Sequence, residues 1–166
     1  RSRIAKGYSD CFYITEKDGR YGLLTRKTET ITPPVFDDII LYNPRKACRW
    51  VANGYHKISF GRKNNNKMIY YTIVFVIAKK DNLYWLYNAY NGQCILEGCE
   101  YIDYIENENE YRNAPYIDYK KGNEKGYVLI DGEIINNKDY DEIRFNRNNI
   151  YVSKSGKHGI LEITGD

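Results

Sequence analysis

Helix formers are scarce in this chain, which has only 6 Ala, 8 Leu and 1 Met among 166 residues. Four Pro and 13 Gly are too few for a collagen-like or Pro-rich linker chain. No apolar run approaches the ~20 residues of a membrane-spanning helix. The longest, Tyr70 to Ala78, has the length of a strand. Two His (His56, His158) and four Cys (Cys11, Cys48, Cys94, Cys99) include no C-x-x-C pair, so the short ligand spacings of a zinc site are missing. The thiols are expected to be small buried hydrophobes. P-loop, H-E-x-x-H and nucleophile-elbow patterns are also absent, so no catalytic, cofactor-binding or metal residue is expected. No basic segment followed by an apolar one opens the chain, which favours the cytoplasm over the cell envelope.

The abundant residues are 20 Ile, 18 Tyr and 17 Asn. β-branched and aromatic side chains suit a pleated, half-buried surface, and Asn suits tight turns. The expected fold class is therefore all-β, within one domain spanning 1–166. Turn signals recur at Asp18-Gly19, Asn91-Gly92, Asp131-Gly132 and Ser155-Gly156, each between short apolar runs. No window sustains a 3.6-residue apolar period, although a short helical turn near Pro33 or Pro115 is compatible with the sequence. Pro33-Pro34 itself is expected to be extended. Imperfect alternation suggests strands covered on both faces, with Ile73 to Ile77 the most buried.

Self-comparison reveals imperfect copies of one unit. Phe12 to Ile39 aligns with Tyr116 to Ile143, and in both a central glycine (Gly22, Gly126) precedes an aromatic-acidic element by fourteen positions. These elements are Phe36-Asp37-Asp38-Ile39 and Tyr140-Asp141-Glu142-Ile143. A shorter copy begins at Ile150 with Gly159 at its centre. A degenerate copy runs from Phe75, with Trp85 in the glycine's place and Tyr101 to Ile105 as its acidic element. The expected unit is strand, tight turn, strand, turn, short strand. The copies span roughly 8–42, 68–106, 112–145 and 146–166, with an insertion over 43–67 that forms a loop or an added hairpin. The pairs Asp37-Asp38 and Asp141-Glu142 put adjacent carboxylates on opposite faces of a strand. They are therefore read as acceptors for turn N–H groups and not as acid/base pairs.

The copies resemble the bacterial WG (KWG) repeat family, whose unit reads roughly G-K-W-G-L-I-D, a turn, I-I-P and Y-D-x-I. The matching residues are Gly19-Arg20-Tyr21-Gly22-Leu23-Leu24 with Ile31-Thr32-Pro33, then Lys125-Gly126-Tyr127-Val128, and Gly156-Lys157-His158-Gly159. The signature Trp position holds Tyr21, Lys125 and His158. The resemblance implies a β-rich array of two- to three-stranded units, twisted or propeller-like, with a closed barrel as the alternative. It implies no shared chemistry or cofactor.

Charge is split along the chain. Residues 1–67 hold 14 Lys and Arg against 6 Asp and Glu, whereas the remainder holds 11 against 16. Repeat arrays offer broad surfaces and open sheet edges, and Tyr with Asn makes rigid amphipathic contacts. The function expected is a non-enzymatic protein-interaction module, a bacterial surface-associated or immunity-type binder. Its candidate partner-binding residues lie around the insertion: Tyr42, Arg45, Lys46, Arg49, Trp50, Tyr55, Arg62 and Lys63. The alternative is a single-stranded nucleic-acid module in which the same basic, Tyr-rich half stacks bases and tracks phosphates.

Overall fold

The computed structural model describes residues 2–3, 12–25, 29–43, 46–49, 61–64, 67–70, 75–89, 91–103, 116–129, 131–146 and 149–162. Among these, every regular element is a β-strand. The first sheet is β1 (Ser2–Arg3), β2 (Phe12–Lys17), β3 (Arg20–Thr25) and β4 (Thr30–Phe36), in that order. Next come β5 (Asp38–Asn43), β6 (Lys46–Arg49), and the separate ribbon β7 (Gly61–Asn64) with β8 (Lys67–Tyr70). β9 (Phe75–Lys80), β10 (Leu83–Asn88) and β11 (Cys94–Cys99) complete a second sheet ordered β11-β10-β9-β5-β6. The third sheet is β12 (Tyr101–Ile102), β13 (Tyr116–Lys121), β14 (Glu124–Leu129) and β15 (Ile134–Asn136). The fourth is β16 (Glu142–Asn146), β17 (Asn149–Lys154) and β18 (Lys157–Glu162). All pairings are antiparallel, and each sheet is open, so no closed barrel forms among the described residues.

The repeats are visible in the strand register. Counting from the tight turn, Gly22, Trp85, Gly126 and Gly159 each occupy the third residue of the second strand, opposite Thr15, Ala78, Tyr119 and Val152. The turns themselves are two-residue loops. Asp18-Gly19, Asp81-Asn82 and Ser155-Gly156 have positive φ at both positions, and Gly122-Asn123 at the first only. These are the turn geometries whose twist matches a hairpin. The insertion takes the hairpin form: β6 pairs with β5 and extends the second sheet, and β7 pairs with β8. Pro33 and Pro34 lie within the edge strand β4, inside the register shift between the Thr32 and Phe36 partners, where neither is a paired position of the ladder. No helical turn forms at Pro33; Pro115 lies outside the described residues.

The sheets stack, and their interiors are shared. Along β5, Ile39 and Leu41 face the first sheet, whereas Ile40 and Tyr42 face the third. β9 divides in the same way, with Val76 and Ala78 on one side and Phe75 and Ile77 on the other. Of the apolar run expected to be most buried, Phe75 to Ile77 is buried on both faces, and Ile73 and Val74 lie outside the described residues. A smaller core of Leu129, Ile135, Ile150 and Val152 joins the third and fourth sheets. Aromatic rings seal two junctions. Phe36 packs edge-on to Trp85 at 5.3 Å, and Phe145 stacks on Tyr116 at 3.8 Å.

The central glycine is demanded by the third strand. A Cβ on Gly22 would lie 2.7 Å from the Pro33 carbonyl carbon, and one on Gly126 would lie 2.3 Å from the Ile135 oxygen. Where Trp85 replaces the glycine, the third strand shifts its register instead. Gly98, at φ +64°, sits where a Cβ would be 3.9 Å from the Trp85 ring, within a register shift of β11 against β10. Ala in place of Gly126 should lower stability by about 1–3 kcal/mol through overpacking against backbone that has nowhere to move. Urea unfolding of Gly126→Ala against the parent chain measures this.

Candidate functional site

A single acidic residue governs each passage from one sheet to the next. The N–H groups of Asp37, Glu100 and Asp141 donate to the carbonyls of Lys79, Lys120 and Ser153 at 2.8, 3.1 and 2.7 Å. Their carboxylates then accept the first N–H of the following hairpin turn: Asp81 on Asp37 at 3.4 Å, Gly122 on Glu100 at 2.7 Å, and Ser155 on Asp141 at 2.8 Å. The acid of one unit thereby fastens the turn of the next. This is the turn-acceptor role expected of Asp37 and Asp141. The neighbouring Asp38 accepts instead from the N–H of Ile39. In the degenerate unit the acid is Glu100, preceded by Cys99, so the acidic element begins two residues before Tyr101. Ala at Asp141 should cost about 0.5–2 kcal/mol, the range for losing a side-chain cap on a backbone N–H. Asn should restore most of it in the same urea assay.

The stacking leaves grooves between and beyond the sheets. One, of about 420 Å³, lies where the third sheet meets the crossing to the fourth. Tyr101, Asp118, Lys120, Lys125 and Tyr127 form one wall, and Asn137, Tyr140, Asp141 and Ile143 form the other. Tyr119 turns its ring to the opposite face, into the core shared with the second sheet. Burial and the neighbouring Asp118 push the Tyr127 hydroxyl above its ordinary value, so it remains a neutral donor at physiological pH. A second groove, of about 320 Å³, lies on the outer face of the fourth sheet. It is the same place one unit later. By register, Glu142 stands for Tyr101, Tyr151 for Asp118, Ser153 for Lys120, His158 for Lys125, Gly159 for Gly126 and Ile160 for Tyr127. The guanidinium of Arg144 lies 6.0 Å from the centre of the Tyr151 ring.

A third cleft, bounded by Cys94, Glu97, Lys121, Glu124 and Lys138, contains a polar relay. Lys138 Nζ lies 2.7 Å from Glu124 Oε1, the Tyr119 hydroxyl donates to Glu124, and Asn136 Nδ2 donates to Tyr119 at 3.2 Å. The hydrogen bonds from Lys138 and Tyr119 hold the Glu124 carboxyl below its ordinary value. A carboxylate favoured in the folded state stabilises it above the unfolded pKa of about 4.3, and that contribution is lost as pH falls through the folded pKa. Glu124→Gln should therefore unfold less steeply than the parent between about pH 4.5 and 2, as followed by circular dichroism.

Cys94 and Cys99 are free thiols. Burial raises both pKa values, that of Cys99 to about 11, so neither is an activated nucleophile. Among the described residues no cluster of three or more His, Cys, Asp or Glu is placed to hold a metal ion. No described helix is long and apolar enough to cross a membrane.

The residues expected to bind a partner are dispersed. Tyr42 is a correction: its exposure is 0%, and it is a core residue between the second and third sheets. The alternation that turns Ile40 inward turns Tyr42 inward with it. Lys46 and Arg49 lie on β6, the edge strand of the second sheet, and Arg62 and Lys63 lie on β7. Arg45, Trp50 and Tyr55 fall outside the described residues. The first groove has no sequence signature of its own, because its walls come from Tyr101, from β13 and β14, and from the crossing to the fourth sheet; the second is lined by the consecutive strands β16 to β18, whose residues form no recognisable motif.

No family profile, curated protein or solved structure matches this chain.

Proposed function

We propose that this chain is a non-enzymatic protein-interaction module built from WG-like repeats. The observation that carries the reading is the recurrence of one groove in successive units with exchanged side chains. The scaffold stays constant while its lining passes from Tyr, Asp and Lys to Glu, Tyr and His. Repeat arrays read their partners in this manner, through a concave surface whose positions vary on a fixed frame. Tyr101, 49% exposed, and the neutral Tyr127 provide amphipathic contact area at low entropic cost. The sequence of β6, β7 and β8 is basic and that of the C-terminal portion acidic, a split that suits steering of a charged partner.

The test begins with capture of partners on the immobilised full chain. Affinity for the purified partner is then measured by calorimetry for Tyr101→Ala, Lys125→Glu and Arg144→Glu. At least one of these surface changes should weaken binding tenfold or more while leaving the melting temperature of the chain in place. Binding within twofold for all three would overturn the groove reading. A titration with labelled single-stranded oligonucleotides at about 50 and 200 mM salt tests the alternative, since phosphate contacts lose affinity steeply over that range. Tight, salt-sensitive binding there would move the function to nucleic acid.

A further inference from the structure

We propose that the groove of the third sheet receives an acidic side chain of a partner polypeptide, held by the ammonium groups of Lys120 and Lys125, with the residues beside that acid resting on Tyr101. The inference rests on the interaction reading above and gives that partner a charge.

Lys120 and Lys125 stand directly opposite each other on β13 and β14. Their carbonyls turn away from one another: that of Lys120 accepts from the N–H of Glu100 at 3.1 Å, and that of Lys125 from the N–H of Asn137 at 2.9 Å. The two lysines are therefore a non-hydrogen-bonded pair, the kind whose side chains approach more closely. Like charges placed directly opposite are destabilising. No ion pair among the described residues includes either lysine. The acids of the two flanking joints are engaged with the scaffold, Glu100 with the N–H of Gly122 and Asp141 with that of Ser155.

The second sheet carries the same row in a balanced form. There Asp38, Lys79 and Tyr84 hold the register of Tyr101, Lys120 and Lys125. Lys79 has a carboxylate opposite on one side and, on the other, an aromatic ring whose centre lies 5.5 Å from its Nζ. In the fourth sheet the row is Glu142, Ser153 and His158, again with an acid. The third-sheet row keeps the lysine, adds a second and carries no acid, so an acidic group from outside balances it. The groove that these lysines line, of about 420 Å³, has room for such a side chain and its neighbours. Tyr101, exposed beside Lys120, offers its ring to an apolar or aromatic residue next to the acid. Asp118 and Asp141 line the same groove. They repel the unbroken phosphates of a nucleic acid but leave the lysines open to one carboxylate, so the charge pattern favours a peptide.

The test uses the full chain, isotope-labelled, and two capped peptides, acetyl-Gly-Tyr-Glu-Tyr-Gly-amide and its Gln counterpart. The Glu peptide should shift the amide resonances of Tyr101, Lys120, Lys125 and Tyr127 saturably and bind at least tenfold more tightly than the Gln peptide. Lys125→Tyr installs the residue type that the second sheet has at this register, Tyr84. It should weaken the Glu peptide at least tenfold while the melting temperature holds or rises, because the opposed like charge is gone. No saturable shift at about 1 mM peptide, equal affinity for the two peptides, or unchanged binding by Lys125→Tyr would each overturn the proposal. Tighter binding of inorganic phosphate or of a thymidine oligonucleotide than of the Glu peptide would also overturn it and assign the lysines to phosphate. Failure of the peptide, with binding of a captured partner still weakened by Tyr101→Ala, would remove the acidic ligand alone. A captured partner indifferent to every groove substitution, with the Glu peptide still bound, would remove the interaction reading alone.

Discussion

The architecture depends on a carboxylate reaching from the end of one unit to the first amide of the next unit's turn. Asp37, Glu100 and Asp141 make this contact over sequence separations of 44, 22 and 14 residues, each time from the N–H of the first turn residue to a carboxylate oxygen. A hairpin turn with left-handed residues leaves its first N–H pointing outward, and the acid satisfies it from outside the hairpin. The bond thus couples neighbours and not parts of one sheet. It is exposed and modest in strength, and it acts together with the shared apolar cores in placing the next sheet on the last. The large insertion between the first two units lengthens the loop without altering the joint, because loop closure costs only weakly with length.

Given that placement, each sheet offers two faces to its neighbours, and side-chain alternation determines what fills them. The second sheet is apolar on both sides, with Ile77 and Leu86 directed at the third. At the same register the third sheet presents Asp118 and Tyr127, and the fourth presents Tyr151 and Ile160. The faces become more polar towards the C-terminal portion, so packing is continuous at the centre and grooved towards that end. Interior and binding surface are the same positions with different side chains.

The fold was largely legible because its demands are local. Ile and Tyr on pleated strands, two-residue turns and the fixed fourteen-residue interval from central glycine to acidic element all leave direct marks. That interval, applied from Trp85, leads to Cys99-Glu100. The eye is drawn instead to Tyr101 to Ile105, because Cys99 is a poor match for an aromatic. The basic neighbours of Tyr42 suggest a surface, although alternation from Ile40 points it inward. The register shift of β11 that accommodates Trp85 was not legible, since it lies across the ladder and not along the chain. The first groove was hidden for a related reason: its walls meet only after stacking.

The forward reach of each acid also orders the events of chain synthesis. A unit can form its own hairpin as soon as it emerges, but its last residue has no amide to hold until the following turn exists. Asp37 must wait for Asp81, 44 residues on, which at usual elongation speeds is about 2–9 s. During that interval the apolar face later covered by the second sheet stands open. The early units of such an array are thus the ones exposed longest to a chaperone, and the delay is set by the inserted segment between them.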